Sequence, residues 1–164
     1  IRLLRNHGLT DRDHCEVFAY NSRLDTIQAV VANHLLDKIE AITNARITHA
    51  SYLDTGLGGV TGINIPKRDS SVKEVFHIYS FMAENRDALW DFLRDNGIDA
   101  KIHYPIPMHL QPAARYLNYK KGDFPITERV ANHTISLPVH EFVQLQDLDF
   151  MISKVKEFYG HEQD

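Results

Sequence analysis

The chain has 164 residues, a formal net charge of -4 and 43% apolar residues, which is typical of a globular protein with one ordinary core. The acidic excess gives no electrostatic reason to expect nucleic acid as a partner, and no apolar run is long enough to cross a membrane. The single cysteine, Cys15, cannot form an internal disulfide, so we expect a reducing, cytoplasmic location.

The chain begins Ile1-Arg2-Leu3-Leu4, without a methionine or a helix cap, so we expect a piece of a longer polypeptide. Gly8 then predicts the stop of a helical segment. A domain boundary is predicted near residue 24. Residues 1–24 would belong to a preceding domain, and residues 25–164, including a long linking helix, to a C-terminal domain.

The long helix is predicted from its cap and its apolar spacing. Asp25 is a good N-cap, and Gln28 stands three residues later, as a capping box requires. Apolar residues then recur at steps of three and four, which predicts one amphipathic helix over residues 27–53, with any break near Thr43-Asn44. The stripe consists of Ile27, Val30, Val31, Leu35, Ile39 and Ile42.

Two strands and a helix are predicted next. Residues 56–65 are rich in glycine and are expected to form a flexible connector. Residues 74–82 alternate between β-forming side chains, which predicts a strand with His77 as a histidine at the edge of the core. A helix capped by Asn85 ends at Asn96-Gly97, and residues 98–104 predict a second strand.

Residues 103–112, His-Tyr-Pro-Ile-Pro-Met-His-Leu-Gln-Pro, form a polar stretch that three prolines make stiff. Each proline fixes φ, removes a backbone donor and favours an extended residue before it. Stiff loops of this kind place side chains against ligands, although a proline-rich connector whose histidines face water fits the local pattern equally well.

The remaining elements predict the fold class. Helices are expected at residues 111–117, 126–133 and 144–159, with a short extended segment at residues 136–138. The predicted order is a long helix, then a strand, a helix and a strand, and then further helices. This order is typical of an α+β fold. We expect a small antiparallel or mixed sheet with helices packed on one face.

Four short islands carry a family resemblance. They are Arg5-Asn6-His7-Gly8; Ala19-Tyr20-Asn21-Ser22-Arg23-Leu24 with Gln28-Ala29; Gly97-Ile98 with His103-Tyr104-Pro105 and His109 to Pro112; and Phe124-Pro125 with Glu128 and Ser136-Leu137-Pro138. In this order they resemble the C-terminal half of the DegT/DnrJ/EryC1/StrS family of sugar aminotransferases. Ala19 departs from the family pattern, which usually has glycine there.

The resemblance implies a fold and a reaction. The fold would be the C-terminal domain of a fold-type I aminotransferase that depends on pyridoxal 5′-phosphate, with residues 1–24 the tail end of the large cofactor-binding domain. The reaction would move an amino group from L-glutamate to a nucleotide-linked keto sugar. The enzyme would be a homodimer with a shared active site.

The resemblance also implies site residues. Asn21 is expected to reach the cofactor phosphate of the partner subunit. Arg23 is expected on the same side of an extended segment, where it pairs with an anionic group or with a structural carboxylate. His103 and Tyr104 are expected near the sugar pocket, bound to hydroxyls or to the diphosphate, and His109 is a further substrate-binding candidate.

Two alternatives remain open. The family's Schiff-base lysine lies in an S-x-x-K segment, which no lysine of this chain matches. We expect it upstream of Ile1 and predict no catalytic residue here. The chain alone would then be a non-catalytic dimerisation or binding module. A metal site built from His77, His103 and His109 is the other alternative, although the sequence has no H-E-x-x-H motif.

Overall fold

The computed structural model describes residues 1–161, which belong to two compact units, Ile1–Glu40 and Ala41–Asp164. Within residues 1–161 no helix has the length and apolar character that a membrane span needs. The predicted boundary near residue 24 concerns the domains of a complete protein and stays a prediction. The elements are α1 (Thr26–Leu36), α2 (Ile39–Leu57), β1 (Ile63–Asn64), β2 (Tyr79–Ala83), α3 (Arg86–Asp95), α4 (Pro125–His133), β3 (Thr134–Leu137) and α5 (Leu145–His161).

A tight backbone pairing organises the first unit. The Ser22 N–H donates to the Arg5 carbonyl at 2.8 Å, and Asn6 forms an antiparallel bridge with Asn21. Gly8 has a φ of 72°, and a β-carbon there would lie only 1.6 Å from the carbonyl oxygen of Val17. Only glycine fits so close an approach. Residues 1–8 form turns rather than the end of a helix, so the helical stop predicted at Gly8 is wrong.

The predicted single helix is in fact two. α1 ends at Leu36 and α2 begins at Ile39, so the break falls at Asp37-Lys38 and the break predicted near Thr43-Asn44 is wrong. The capping prediction is confirmed in part, because the Gln28 side-chain oxygen accepts the Asp25 N–H at 3.1 Å.

The apolar stripe of α1 is not buried. Ile27 is 76% exposed and Val30 63% exposed, although their spacing is that of a core-facing helix. Spacing predicts which residues share a face of a helix, but not what lies against that face. α2 differs, because Ala50, Leu53 and Leu57 are fully buried.

The second unit contains a three-stranded antiparallel sheet in the order β1-β2-β3. In the central pairing, Ser80 lies opposite Ser136 and Phe81 opposite Ile135. The expected α+β fold with a small sheet is therefore confirmed. The connector predicted at residues 56–65 contains the last two residues of α2 and the short strand β1.

The strand predicted at residues 74–82 begins only at Tyr79. Its partner β3 has four residues, so residues 74–78 have no strand to pair with. Phe76 adopts a φ of 47°, which breaks the extended conformation. His77 is consequently exposed rather than at the edge of the core.

The strand predicted at residues 98–104 reduces to one antiparallel bridge. Lys101 and Ser136 exchange backbone hydrogen bonds of 3.0 Å and 2.8 Å. Beyond them the chain enters the proline stretch, and proline has no N–H to donate to a ladder. The segment therefore touches the sheet once and leaves it.

The core of the second unit lies between the sheet and its helices. β2 alternates, with Tyr79, Phe81 and Ala83 buried and the residues between them less so. α3 packs against β2 and α5. The helices predicted at residues 126–133 and 144–159 are present, whereas residues 112–117 form a 3₁₀ helix rather than an α-helix.

Leu89→Ala tests this core. Leu89 of α3 is fully buried, so its truncation should lower the free energy of unfolding by about 2–5 kcal/mol. The matched control is Leu145→Ala at the start of α5, where the side chain is 59% exposed and the expected change is within about 0.5 kcal/mol. Urea-induced unfolding measures both, and equal losses would contradict the described packing.

Candidate functional site

His103 is held against the sheet by Ser136. Its Nδ1 lies 3.3 Å from the Ser136 Oγ, which in turn lies 3.0 Å from the Ser80 Oγ. Ser136 is 3% exposed, and its backbone is paired with Lys101. Because both the chain of Ser136 and its hydroxyl are fixed, the imidazole two residues after Lys101 has a defined position.

A cleft of about 380 Å³ opens beside this imidazole, and we call it the His103 cleft. Three imidazoles and three charged side chains line it, together with part of the segment that contains β3. All the lining residues belong to the second unit. They are Arg46, His77, Ile78, Asp99, Lys101, His103, Ser136, Leu137, Pro138, Val139 and His140.

The formal charges of the His103 cleft are already compensated. Arg46 donates to the carbonyls of Phe76 and His77, at 3.3 Å and 3.2 Å, and lies 3.3 Å from a Glu141 carboxylate oxygen. Lys101 forms an ion pair with Asp99. The imidazoles therefore remain as the polar groups that suit uncharged hydroxyls, since each can donate or accept a hydrogen bond.

Tyr104 does not line the His103 cleft. Its side chain is 75% exposed, and its ring meets the His103 ring edge-on at 5.6 Å. The two neighbours expected to contact substrate therefore face different surroundings within this unit.

His109 lies in a separate cluster. Its side chain is 7% exposed, and its Nε2 lies 3.0 Å from an oxygen of Glu128, itself 12% exposed. The ring packs on Phe124 at 4.9 Å, and Tyr119 packs on the same phenyl ring. This geometry is that of a histidine that ties the proline stretch to α4.

Glu128 accepts a second hydrogen bond from the Gly122 N–H, at 2.7 Å. This backbone donor is the main reason why the pKa of the Glu128 carboxyl lies below its ordinary value, and the His109 bond lowers it further. The Glu128 carboxylate thus binds both the loop before α4 and the proline stretch that contains His109.

Asn21 and Arg23 belong to the first unit. The backbone of Asn21 is bridged to Asn6, and its side chain is exposed. Arg23 lines a different cleft, of about 470 Å³, together with Arg2 and Arg5. We call it the arginine cleft.

The histidine metal site has no support in the geometry. Within residues 1–161, no three His, Cys, Asp or Glu side chains are grouped so that they could hold a metal ion. His109 bonds to Glu128, while His77 and His103 line the cleft described above.

Several lining residues were not identified from the sequence. Arg46 sits in a helix 30 residues before the carbonyl it binds, so no local pattern marks it. Ser136 had a weak signal, since it is a polar residue inside a short extended segment between apolar neighbours. Arg5 belongs to the first of the four family islands, whereas Arg2 had no signal beyond its charge.

Comparisons with known proteins agree on one family. The model of the DegT/DnrJ/EryC1/StrS aminotransferase family matches residues 1–156. The erythromycin biosynthesis sensory transduction protein EryC1 of Saccharopolyspora erythraea is 36% identical over 95% of the chain and 43% of its own length. The dTDP-3-amino-3,4,6-trideoxy-alpha-D-glucose transaminase of Streptomyces venezuelae is 32% identical over 96% of the chain and 42% of its own length.

A solved structure has the same fold. The crystal structure of S. venezuelae DesV in complex with a ketimine intermediate superimposes with a TM-score of 0.92 at 32% identity, covering 96% of this chain and 43% of that one. The chain thus spans less than half the length of the relatives it matches.

The Glu128 carboxylate predicts a pH dependence of stability. A carboxyl group with a lowered pKa stabilises the fold fully above its ordinary value of 4.5, and this contribution is lost as the pH falls through the folded-state pKa. The difference in unfolding free energy between the native chain and Glu128→Gln should therefore shrink on acidification from about pH 6 to about pH 3.

The control for this series is Glu157→Gln, which removes a carboxylate paired with Lys154 on the surface of α5 and should change stability by less than about 0.5 kcal/mol. Urea unfolding at each pH measures the differences. A gap for Glu128→Gln that stays constant over this range would contradict the assigned role of the ionised carboxylate.

Proposed function

Because this chain belongs to the DegT/DnrJ/EryC1/StrS aminotransferase family, we propose that the complete protein moves an amino group from L-glutamate to a nucleotide-linked keto sugar. The observation that carries the proposal is the joint match of sequence and fold over almost the whole chain to DesV. A transaminase relative named for a dTDP-linked amino sugar supports the substrate class.

Pyridoxal 5′-phosphate is the proposed cofactor, and Asn21 is the residue proposed to bind its phosphate. The Asn21 side chain is exposed, and among residues 1–161 no hydrogen bond engages its amide. An amide N–H suits a phosphate oxygen. The backbone bridge to Asn6 holds the residue in place. When bound, the cofactor supplies the electron sink for amine chemistry, and the role of Asn21 is to orient it.

The sugar is assigned to the His103 cleft. Its cationic side chains have carboxylate partners, and the His103 imidazole is anchored to the sheet through Ser136, so the cleft offers directional hydrogen bonds without a net demand for a counter-ion. Hydroxyl groups are the ligands that such a surface suits. His103 would bind and orient the sugar, and Ser136 would position His103.

The homodimer with a shared active site remains part of the proposal. Asn21 would serve the cofactor of the partner subunit. The alternative of a non-catalytic module is not favoured, since the matching family is one of aminotransferases.

The decisive assay uses the full-length protein with added pyridoxal 5′-phosphate. Production of 2-oxoglutarate from L-glutamate, dependent on a nucleotide-linked keto sugar, supports the proposal. An intact mass equal to that of these 164 residues, together with the absence of turnover and of the cofactor's visible absorbance, would instead identify a non-catalytic module.

Asn21→Ala should weaken retention of the cofactor. Loss of one hydrogen bond to a charged phosphate is worth about 1.5–3 kcal/mol, or about tenfold or more in affinity. Retained cofactor is read from visible absorbance after dialysis of the full-length protein. The matched control is Asn33→Ala on α1, another exposed asparagine of the same unit. Unchanged retention in Asn21→Ala would remove this residue from the cofactor site.

His103→Ala should raise KM for the nucleotide-linked sugar by about tenfold and leave KM for L-glutamate nearly unchanged, because the lost hydrogen bond serves the sugar alone. Steady-state kinetics with each substrate varied in turn give the two values. The control is His14→Ala, an exposed histidine paired with Asp11. Equal increases in both KM values would point to a role of His103 in folding.

A further inference from the structure

Three polar side chains form a row on the side of the sheet that faces away from the apolar core. Ser80 of β2 lies opposite Ser136 of β3, so both side chains leave the sheet on the same side, while the residues that flank them in both strands are buried in the core. The Ser80 and Ser136 hydroxyl oxygens are 3.0 Å apart, and the Nδ1 of His103 lies 3.3 Å from the Ser136 oxygen. All three residues belong to the second unit, and we call them the polar row.

Ser136 is the middle member of the polar row and has a single hydroxyl proton. It can donate that proton to only one of its two neighbours, so it must accept from the other. The residue is 3% exposed, and an unmade hydrogen bond at a buried hydroxyl is costly. The directions of the two hydrogen bonds are consequently coupled. The orientation of the Ser80 hydroxyl and the tautomer of His103 cannot vary independently.

Two arrangements of protons obey this rule. In the first, Ser80 donates to Ser136 and Ser136 donates to the Nδ1 of His103, which leaves the proton of the neutral imidazole on Nε2. In the second, Nδ1–H donates to Ser136 and Ser136 donates to Ser80, whose own proton then needs an acceptor outside the polar row. The first arrangement bonds every hydroxyl proton within the three residues. It also gives the imidazole the Nε2–H tautomer, which is the more stable one of a free histidine side chain.

We propose that Ser80 and Ser136 are positioning residues that hold His103 as the Nε2–H tautomer, so that His103 offers a hydrogen-bond donor to the ligand of the His103 cleft. The hydrogen bond at one ring nitrogen decides which nitrogen carries the proton. Because Nδ1 is bonded to Ser136, Nε2 is the nitrogen left for a ligand.

The identity of the ligand rests on the proposed function. A nucleotide-linked keto sugar would be bound by the Nε2–H of His103 through an oxygen that accepts a hydrogen bond, which a hydroxyl, an ether or a keto oxygen can do. An ammonium group, which only donates, would not be bound at this nitrogen. The polar row therefore selects the kind of sugar atom that meets His103.

The tautomer is tested by long-range proton–nitrogen NMR of the full-length protein with isotope-labelled histidine, in which protonated and unprotonated ring nitrogens have different chemical shifts. The spectrum of His103→Gln identifies the His103 signals. At about pH 8, where an ordinary histidine is neutral, we expect Nδ1 unprotonated in the native protein. Ser80→Asp places an acceptor beside Ser136, which must then donate to it and accept from His103. In this variant Nδ1 should become protonated.

Thr134→Asp is the matched control. Thr134 lies on the same side of β3 as Ser136, two residues before it, and its hydroxyl donates to the Val130 carbonyl at 2.8 Å rather than to the polar row. The variant adds the same charge to the same face of the sheet and should leave Nδ1 of His103 unprotonated. Two results would overturn the proposal: a native protein with its proton on Nδ1, or equal spectra for Ser80→Asp and Thr134→Asp.

Kinetics supply a second measurement, in a variant without added charge. Ser80→Ala removes the hydrogen bond that orients Ser136, so KM for the nucleotide-linked sugar should rise about threefold while KM for L-glutamate stays unchanged. Ser80→Thr restores the hydroxyl on a side chain that strands accept, and it should return KM to the native value. A rise in both KM values, or a rise that Ser80→Thr does not reverse, would contradict the positioning role.

The two measurements separate this inference from the proposed function, because the NMR spectra need no turnover. A full-length protein that shows the expected change of tautomer but transfers no amino group to a nucleotide-linked keto sugar would refute the reaction and retain the polar row. An active enzyme in which Ser80→Asp leaves Nδ1 unprotonated and Ser80→Ala leaves both KM values unchanged would refute the positioning role and retain the reaction.

Discussion

The second unit depends on the buried residue Ser136. Its backbone is hydrogen-bonded to Lys101, and in the β2–β3 pairing it lies opposite Ser80. Its hydroxyl lies within hydrogen-bond distance of the Ser80 hydroxyl and of the His103 imidazole. A buried hydroxyl is costly unless its hydrogen bonds are made. The same bonds that satisfy it fix the start of the proline stretch, so the stability of the sheet and the position of the His103 imidazole are coupled.

The four sequence islands meet in pairs within their units. Asn6 of the first island bridges Asn21 of the second. The third and fourth meet twice, through His103 with Ser136 and through His109 with Glu128. The spacing of such islands reflects contacts, which is why together they are specific although each alone is weak. The His109 contact ties the proline stretch that begins at His103 to α4, and the expected role of His109 in substrate binding stays a prediction.

The sequence correctly predicted those features that depend only on neighbouring residues. The start of α3 directly after Asn85, the stop at Gly97 and the closing helix all formed as expected, because turn geometry and apolar spacing act within a few residues. Strand lengths were wrong because they depend on a partner far along the chain. β2 can be no longer than β3 and β1 allow, and the carbonyls of Phe76 and His77 accept hydrogen bonds from Arg46 instead. The set of residues that lines the His103 cleft was not predicted for the same reason, because these residues come from distant parts of the chain.

The two clefts differ in how their charges are balanced, and this difference constrains what each can bind. In the His103 cleft, Arg46 and Lys101 already have carboxylate partners, so an added anion would have to compete with Glu141 and Asp99. In the arginine cleft no such partner lines the cavity, so an anion gains attraction without displacing one. An uncharged polyol therefore suits the first and a phosphate group the second.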